Sequence, residues 1–251
     1  MTELQHPDSR GFELVVDAYE RARPGYPPEI VSWFAERLGL RPGCTVLDLG
    51  AGTGKLTRQL VATGARVLAL EPGDEMRGRL AAAVPEAEPI AAGAESIPLP
   101  DGSVDAATAG QSFHWFRLED AVTELYRVLR PGGGLGLVWN ERDRDDPLQR
   151  ELAELLRPFL ARKRPHVEAP VWQEFVDRGL FTPLEERVVV FADELDTDGL
   201  VARVASTSFV ASSAPARRAE LEASVRALAA ERGGVVRFAY RTSAYVTFSV
   251  G

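Results

Sequence analysis

Short apolar runs alternate with amphipathic stretches along the chain as far as Trp139. The runs that are typical of buried strands lie near 45–49, 66–70, 88–91, 104–109 and 134–139. Between them, apolar residues recur at the three- and four-residue spacing of helices, as in Pro28–Leu38. Because strands that alternate with helices through short loops form parallel sheets with right-handed crossovers, this region predicts an α/β fold.

After Trp139 the pattern changes to helices and two further strands. Helical spacing is found near 148–160, 172–178, 197–206 and 214–232. Strand composition is found at 186–191 and 239–250. The segment Ser206–Ala216 is rich in serine and alanine and predicts a mobile loop. Since no internal repeat or long linker interrupts the chain, we expect residues 1–251 to form a single domain.

Composition and charge narrow the class of protein. The chain has 251 residues, of which 45% are hydrophobic and 26% charged, which is typical of a soluble globular protein. A net charge of −8 without a long basic block argues against a nucleic-acid partner. Cys44 is the single cysteine, so neither an intrachain disulfide nor a cysteine-rich metal site is expected. The three histidines are far apart in sequence, and we expect no metal site.

Two further expectations concern location and assembly. The chain lacks an apolar stretch long enough to span a membrane, and its first residues lack a secretory hydrophobic region. We therefore expect a cytoplasmic protein with no membrane partner. A monomer and a homodimer are both compatible with the sequence.

The segment Thr45–Thr57 carries the strongest functional signal, since it predicts a buried strand, a glycine turn and the start of a helix. Gly50, Gly52 and Gly54 follow the strand. A dinucleotide-binding turn would need a third glycine where Lys55 stands, which disfavours a nicotinamide oxidoreductase. A phosphate-binding P-loop would need glycine and a hydroxyl at positions 49 and 56, and both are leucine.

Four ordered motifs resemble those of the class I S-adenosylmethionine-dependent methyltransferases. The first is Asp-x-Gly-x-Gly-x-Gly, from Asp48 to Gly54. The second is a strand ending in the acid Glu71, which can accept hydrogen bonds from ribose hydroxyls. The others are Gly93–Asp105 and Leu125–Gly134.

The resemblance implies a fold and a donor. The fold is a Rossmann-like α/β architecture: a seven-stranded, mostly parallel, doubly wound sheet with an antiparallel C-terminal strand pair and a helical lid. The core would comprise about 40–140 plus the C-terminal strands, and the lid would comprise 1–38, 141–182 and 195–232. The donor would be S-adenosyl-L-methionine, and the product S-adenosyl-L-homocysteine.

The resemblance also implies a set of donor-binding residues at the strand ends. These are Asp48, Gly50, Ala51, Gly52, Gly54, Glu71, Pro72, Ala94, Glu95 and Gln111. Asp48 would bind the donor's ammonium group, directly or through water, or hold the glycine turn.

The N-terminal segment carries a further pattern. Tyr19, Arg23 and Tyr26 resemble a pattern of a subgroup that includes relatives of trans-aconitate methyltransferase, in which they would close over the donor. The alternative is a segment that packs on the sheet.

Acceptor-side candidates follow the fourth and fifth strands. His114 is the only histidine within the core motifs and has the pKa range of a general base, but an orienting or structural role is equally compatible. Tyr26, Trp115, Asn140 and Arg142 are substrate-pocket candidates. Arg142 could clamp an anionic acceptor or form a surface ion pair.

These residues predict methyl transfer to a small-molecule acceptor, on oxygen, carboxyl or nitrogen, by in-line displacement. The alternative is a non-catalytic S-adenosyl-ligand-binding or protein-interaction module, since the same fold supports different functions.

Overall fold

The computed structural model describes residues 24–159 and 179–250. Within them, one sheet contains the strands β1 (Thr45–Leu49), β2 (Arg66–Leu70), β3 (Glu88–Ile90), β4 (Val104–Gly110), β5 (Leu129–Arg142), β6 (Glu185–Asp196) and β7 (Val235–Phe248). The order is β3-β2-β1-β4-β5-β7-β6, in which β1 to β5 are parallel and β7 is antiparallel to β5 and β6. This confirms the predicted mostly parallel sheet with an antiparallel C-terminal pair.

The helices of the described residues mostly match the predicted spacing. They are α1 (Pro28–Leu38), α2 (Lys55–Val61), α3 (Asp74–Ala83), α4 (Leu118–Val128), α5 (Pro147–Leu156), α6 (Thr197–Ala205), α7 (Ser208–Ala211) and α8 (Pro215–Ala230), with 3₁₀ turns at Phe113–Trp115 and Arg157–Phe159. The short helix α7 lies within Ser206–Ala216, so this predicted loop is partly helical. The helix predicted at 172–178 lies outside the described residues.

Helix α1 packs on a face of the sheet, although we expected it in the lid. Its apolar stripe is buried in the same core cluster as α2 and β1. Gly134 and Gly136 of β5 provide the room, because a Cβ on Gly136 would lie 3.2 Å from Phe34 Cζ and one on Gly134 would lie 2.6 Å from Leu38 Cδ2. Helix α4 covers the opposite face.

Strands β5, β6 and β7 are longer than the predicted runs. The pairing of β5 with β4 jumps from Leu129 to Gly134, so the predicted turn residues between them bulge out of an otherwise continuous strand. At the other end, β5 continues past its last pair with β4 and remains paired with β7. Beside this extension, β7 and the end of β6 form a third apolar cluster with α5, α6 and α8. Polar residues such as Asp193 interrupt the apolar pattern of β6 and hide its full length.

Candidate functional site

The glycine turn joins β1 to α2, and one of its three glycines has no neighbour at its side-chain position among the described residues. Gly50, Gly52 and Gly54 have φ angles of 60°, 59° and 89°, which side chains disfavour. A Cβ on Gly50 would lie 2.6 Å from Ser112 Cβ, and one on Gly54 would lie 2.9 Å from Val84 Cγ2. A Cβ on Gly52 would meet no described atom within 4 Å. Two of the glycines are therefore required by packing, and Gly52 leaves a surface that a ligand can approach.

Glu71 follows β2 directly and points at this turn. Its Oε2 accepts a hydrogen bond from the backbone N–H of Gly52 at 2.9 Å, and its Oε1 accepts one from that of Gly73 at 2.9 Å. The backbone of Ala51 is bonded to β2 through Leu70, and Pro72 lies exposed beside Glu71. A carboxylate therefore stands next to the open glycine surface.

Asp48 lies beneath the turn, with 1% of its surface exposed. Its Oδ2 accepts a hydrogen bond from Thr57 Oγ1 at 2.6 Å, and its Oδ1 accepts one from Thr108 Oγ1 at 3.0 Å. Burial raises the pKa of Asp48 to about 6, although the two hydroxyl hydrogen bonds act in the opposite direction. The carboxylate thus ties together β1, α2 and β4. Contact with a ligand's ammonium group stays a prediction.

The loop after β3 holds two more of the predicted residues. Ala94 is buried in the apolar cluster below α4. Glu95 Oε1 accepts a hydrogen bond from the backbone N–H of Arg117 at 2.8 Å, which ties this loop to the start of α4. Contact of both residues with the donor stays a prediction.

Gln111 follows β4 with a φ of 57°, the one positive φ of a non-glycine residue in the described chain. Its side-chain Nε2 donates to the backbone oxygen of Asn140 at 2.7 Å, and its backbone N–H donates to Val138 O at 2.9 Å. The next residue, Ser112, donates through Oγ to Leu49 O at 2.7 Å. Backbone strain of this kind, fixed by surrounding bonds, is enriched at functional sites.

The aromatic segment Phe113–Trp115 has one buried side chain and two that are partly exposed at the sheet edge. Phe113 is fully buried, whereas His114 and Trp115 are half-buried, with their ring centroids 4.9 Å apart. Trp139 Nε1 donates to His114 Nδ1 at 3.4 Å. The imidazole therefore lies at the carboxyl edge of β4 and β5 and is not turned into the core, which leaves its predicted role open.

Hydrogen bonds hold the backbone of Gly25 and Tyr26 at the same edge of the sheet. The backbone N–H of Tyr26 donates to Gln59 Oε1 at 3.1 Å, and Gln59 Nε2 donates to Tyr26 O at 2.8 Å. The Tyr26 hydroxyl lies against Gly110, where a Cβ would be 2.5 Å from it. Asn140 Nδ2 donates to Gly25 O at 2.9 Å. Tyr19 and Arg23, the other residues of that predicted pattern, lie outside the described residues.

Asn140 and Arg142 lie on the extension of β5. Asn140 Oδ1 accepts a hydrogen bond from Thr242 Oγ1 of β7 at 2.7 Å. Arg142 is paired with Tyr240 in the strand register, and its Nη2 lies 3.5 Å from Thr207 Oγ1. Arg142 therefore lies at the interface between the sheet and the C-terminal helices.

These groups meet at one edge of the sheet. The ends of β1, β2, β4 and β5 bring the glycine turn, Glu71, Gln111 and His114 to the point where the strand order reverses, between β1 and β4. Ligands of open α/β sheets bind at such points. In the part of the chain that the structure describes, no cluster of potential metal ligands occurs, and no helix there is long and apolar enough to cross a membrane.

Sequence analysis missed three polar residues that shape this edge. Thr57, Thr108 and Ser112 each bond to β1. Thr108 interrupts the run of alanines in β4, which is a signal that a buried polar partner is needed. The sequence gives no comparable signal for Ser112, because its hydrogen-bond partner is the backbone oxygen of Leu49, a group that every residue has.

Comparison with known proteins assigns the family. Residues 47–137 match the family described as a methyltransferase domain. An uncharacterised methyltransferase of Mycobacterium tuberculosis is 39% identical over 250 residues, covering 100% of this chain and 98% of the relative. The chain therefore belongs to the class I methyltransferase family.

Solved structures agree with this assignment at the level of the fold. A proposed type II methyltransferase from Anaeromyxobacter dehalogenans superposes with a TM-score of 0.65 and 28% identity, covering 89% of this chain and 97% of that one. A phosphoethanolamine N-methyltransferase of Haemonchus contortus, in complex with phosphomonomethylethanolamine and S-adenosylhomocysteine, has a TM-score of 0.57 and 14% identity, covering 98% of this chain and 58% of that one. The latter likeness concerns the fold alone.

Proposed function

We propose that this protein transfers a methyl group from S-adenosyl-L-methionine to a small-molecule acceptor by in-line displacement. The observation that carries the proposal is the Glu71 carboxylate beside the open face of Gly52, at the strand ends where ligands of this fold bind. Family membership supports methyl transfer. The Haemonchus contortus structure, which holds S-adenosylhomocysteine, supports the choice of donor.

The residues of the site fit this donor. Gly52 leaves room that any side chain would fill, and a carboxylate such as Glu71 is suited to accept hydrogen bonds from two ribose hydroxyls. Ala94 and Glu95 would face the adenine, and Gln111 would lie near the methionine part. The donor supplies a methyl group on a positively charged sulfur, which is already activated for displacement.

The acceptor pocket would lie at the edge formed by β4 and β5. The His114 imidazole, which lies at this edge beside Trp139, would orient an acceptor or act as its base. Trp115, Tyr26, Asn140 and Arg142 would line the same pocket. The aromatic side chains would exclude water from the reacting atoms.

Thermal unfolding with and without S-adenosyl-L-homocysteine tests the choice of donor. A ligand that binds only the folded state must raise the unfolding temperature. No shift at saturating ligand would overturn the proposed donor. If the ligand binds but S-adenosyl-L-methionine is not consumed with any acceptor in a broad panel, the non-catalytic binding module becomes the better reading.

Glu71→Ala should weaken binding of S-adenosyl-L-homocysteine by about 1.5–3 kcal/mol, roughly 10- to 150-fold, because a charged acceptor is lost. Calorimetric titration measures the change. Glu75→Ala is the matched control, since Glu75 is an exposed acid in the first turn of α3. Glu71→Gln, which keeps one acceptor oxygen, should fall between wild type and Glu71→Ala. Unchanged affinity in a folded Glu71→Ala variant would contradict the assignment.

A further inference from the structure

A proline-rich stretch leads into α1 at the edge of the sheet where the donor would bind. Among residues 24–28, Pro24, Pro27 and Pro28 are prolines. Because proline has no backbone N–H, only Gly25 and Tyr26 can donate a backbone hydrogen bond there. A regular strand ladder therefore cannot hold this stretch, and its position depends on side-chain contacts with neighbouring elements.

Gln59 of α2 forms two hydrogen bonds with the backbone of Tyr26. The Tyr26 N–H donates to Gln59 Oε1 at 3.1 Å, and Gln59 Nε2 donates to Tyr26 O at 2.8 Å. A carboxamide presents a donor and an acceptor side by side, so it can pair with a backbone as a neighbouring strand does. Both backbone groups of Tyr26 are thereby bonded to the helix that begins at the glycine turn.

Asn140 of β5 holds the preceding residue. Its Nδ2 donates to Gly25 O at 2.9 Å, and its Oδ1 accepts a hydrogen bond from Thr242 Oγ1 at 2.7 Å. The threonine hydroxyl fixes which end of the amide faces Gly25, because the oxygen must face the hydroxyl donor. Two side-chain amides from different elements, α2 and β5, therefore hold successive residues of the stretch.

The Tyr26 side chain lies against the end of β4. Its surface is 8% exposed, and a Cβ on Gly110 would lie 2.5 Å from its hydroxyl oxygen and 2.9 Å from its Cζ. The same Cβ would lie 3.2 Å from Leu56 Cδ2 of α2. Two residues after Gly110, Ser112 packs against Gly50 of the glycine turn. The tyrosine ring therefore stands between β4 and α2, beside the turn at which the donor would bind.

We propose that Gln59 is a positioning residue, which acts through Tyr26 and is assisted by Asn140. Gln59 holds the tyrosine ring as one wall of the donor site and does not itself touch the donor. This inference rests on the proposed function. The apparent Kd for the donor rises as the fraction of molecules with Tyr26 in place falls. With the two amides bonded, that wall is already ordered before the donor binds, so binding does not bear the ordering cost.

Calorimetric titration with S-adenosyl-L-homocysteine at about pH 7 tests the role of Gln59. Gln59→Ala should bind the ligand about threefold or more weakly, because both hydrogen bonds to Tyr26 are lost. Gln59→Glu keeps the size of the side chain but sets a carboxylate oxygen against Tyr26 O, so it should weaken binding at least as much. Arg58→Gln is the matched control, since Arg58 is exposed on the same helix and its replacement lowers the net charge by one unit, as Gln59→Glu does. The control should bind as wild type does.

A double-mutant cycle shows whether Gln59 acts through Tyr26. Tyr26→Ala should itself weaken binding, and adding Gln59→Ala to it should change the affinity by less than about twofold, because the side chain that Gln59 positions is gone. Asn140→Asp, which loses the donor to Gly25 O, should likewise weaken binding in wild type and have little effect in Tyr26→Ala. Denaturant unfolding of each variant separates stability from affinity, since a merely structural role would lower stability and leave the affinity of the folded protein unchanged.

The outcomes are distinct. Wild-type affinity in both Gln59 variants would overturn the positioning role while the proposed donor stands. An equal loss from Gln59→Ala in wild type and in Tyr26→Ala would also overturn it, since Gln59 would then act independently of Tyr26. Absence of S-adenosyl-L-homocysteine binding by the wild type would refute the proposed donor, and the inference with it.

Discussion

Gly52→Ala should bind S-adenosyl-L-homocysteine about tenfold or more weakly while it keeps most of its stability, whereas Gly50→Ala should lose stability first. The two glycines are two residues apart and have nearly the same φ, 59° and 60°. Their surroundings differ, since a Cβ on Gly50 would press on Ser112, whereas one on Gly52 would meet no atom of the described residues within 4 Å. Comparing the two variants therefore separates the loss of stability caused by the backbone conformation and packing from the loss of ligand affinity caused by a side chain in the site.

The stability part of this prediction follows from sterics. An alanine at a left-handed φ costs about 1–2 kcal/mol at either position. At Gly50, the added Cβ at 2.6 Å from Ser112 Cβ brings an overpacking cost of about 1–3 kcal/mol more. Ser112 cannot move aside freely, because its hydroxyl is bonded to Leu49 O. Gly50→Ala should therefore lose about 2–5 kcal/mol in total.

Denaturant unfolding and calorimetric titration on both variants check these expectations. Unfolding gives the stability of each variant without ligand, and titration of the folded fraction gives its affinity. If Gly52→Ala bound S-adenosyl-L-homocysteine as tightly as wild type, its open face would not be part of the donor site. If both variants were equally stable, the packing argument for Gly50 would be wrong.

Much of the sheet could be predicted because its periodicity is local. Each of the parallel strands β1 to β4 is a short run bounded by turn residues, so its position can be read from the sequence. The extensions of β6 and β7 could not be predicted from the sequence, because they pack against helices that are distant in sequence. The position of α1 also depends on a distant feature, the room left by Gly134 and Gly136.

The candidate site likewise has residues that could be predicted from the sequence and residues that could not. Glu71 and the glycine turn are adjacent in the structure, as the motif spacing implies. Gln59 carried no signal, because a lone glutamine in a helix is an ordinary surface residue. Only the packing of α1 and α2 in one core cluster brings it to Tyr26. The motifs proposed to bind the donor are contiguous in sequence, whereas the residues proposed for the acceptor side come from separate elements.

Asp48→Asn should become more stable relative to wild type as the pH rises from about 4 to about 7. The folded-state pKa of Asp48 is about 6, raised from an ordinary value of 3.8 by burial. The folded protein therefore binds the proton more tightly than the unfolded chain, and the stability that Asp48 contributes below pH 3.8 is lost as the pH rises through 6. The loss amounts to about 3 kcal/mol.

Urea unfolding at about pH 4 and pH 7 measures this difference, with wild type as the reference at each pH. Asparagine suits the position, because the Thr57 and Thr108 hydroxyls can rotate to accept from its amide. Thr108→Val gives a second check: it removes a hydrogen bond that lowers the pKa, so the pH-dependent loss of stability should grow. A stability difference that does not change with pH would mean that Asp48 titrates alike in the folded and unfolded states.

The same variant decides between the two roles proposed for Asp48. With 1% of its surface exposed and both oxygens engaged by hydroxyls, the carboxylate is placed to hold the glycine turn. Asp48→Asn should then weaken S-adenosyl-L-homocysteine at about pH 7 by less than Glu71→Ala does, because Glu71 adjoins the open face of Gly52. An equal or larger loss would instead mean that Asp48 contacts the donor's ammonium group. In that case the wild-type affinity should also fall as the pH drops below about 6, because protonation removes the attracting charge.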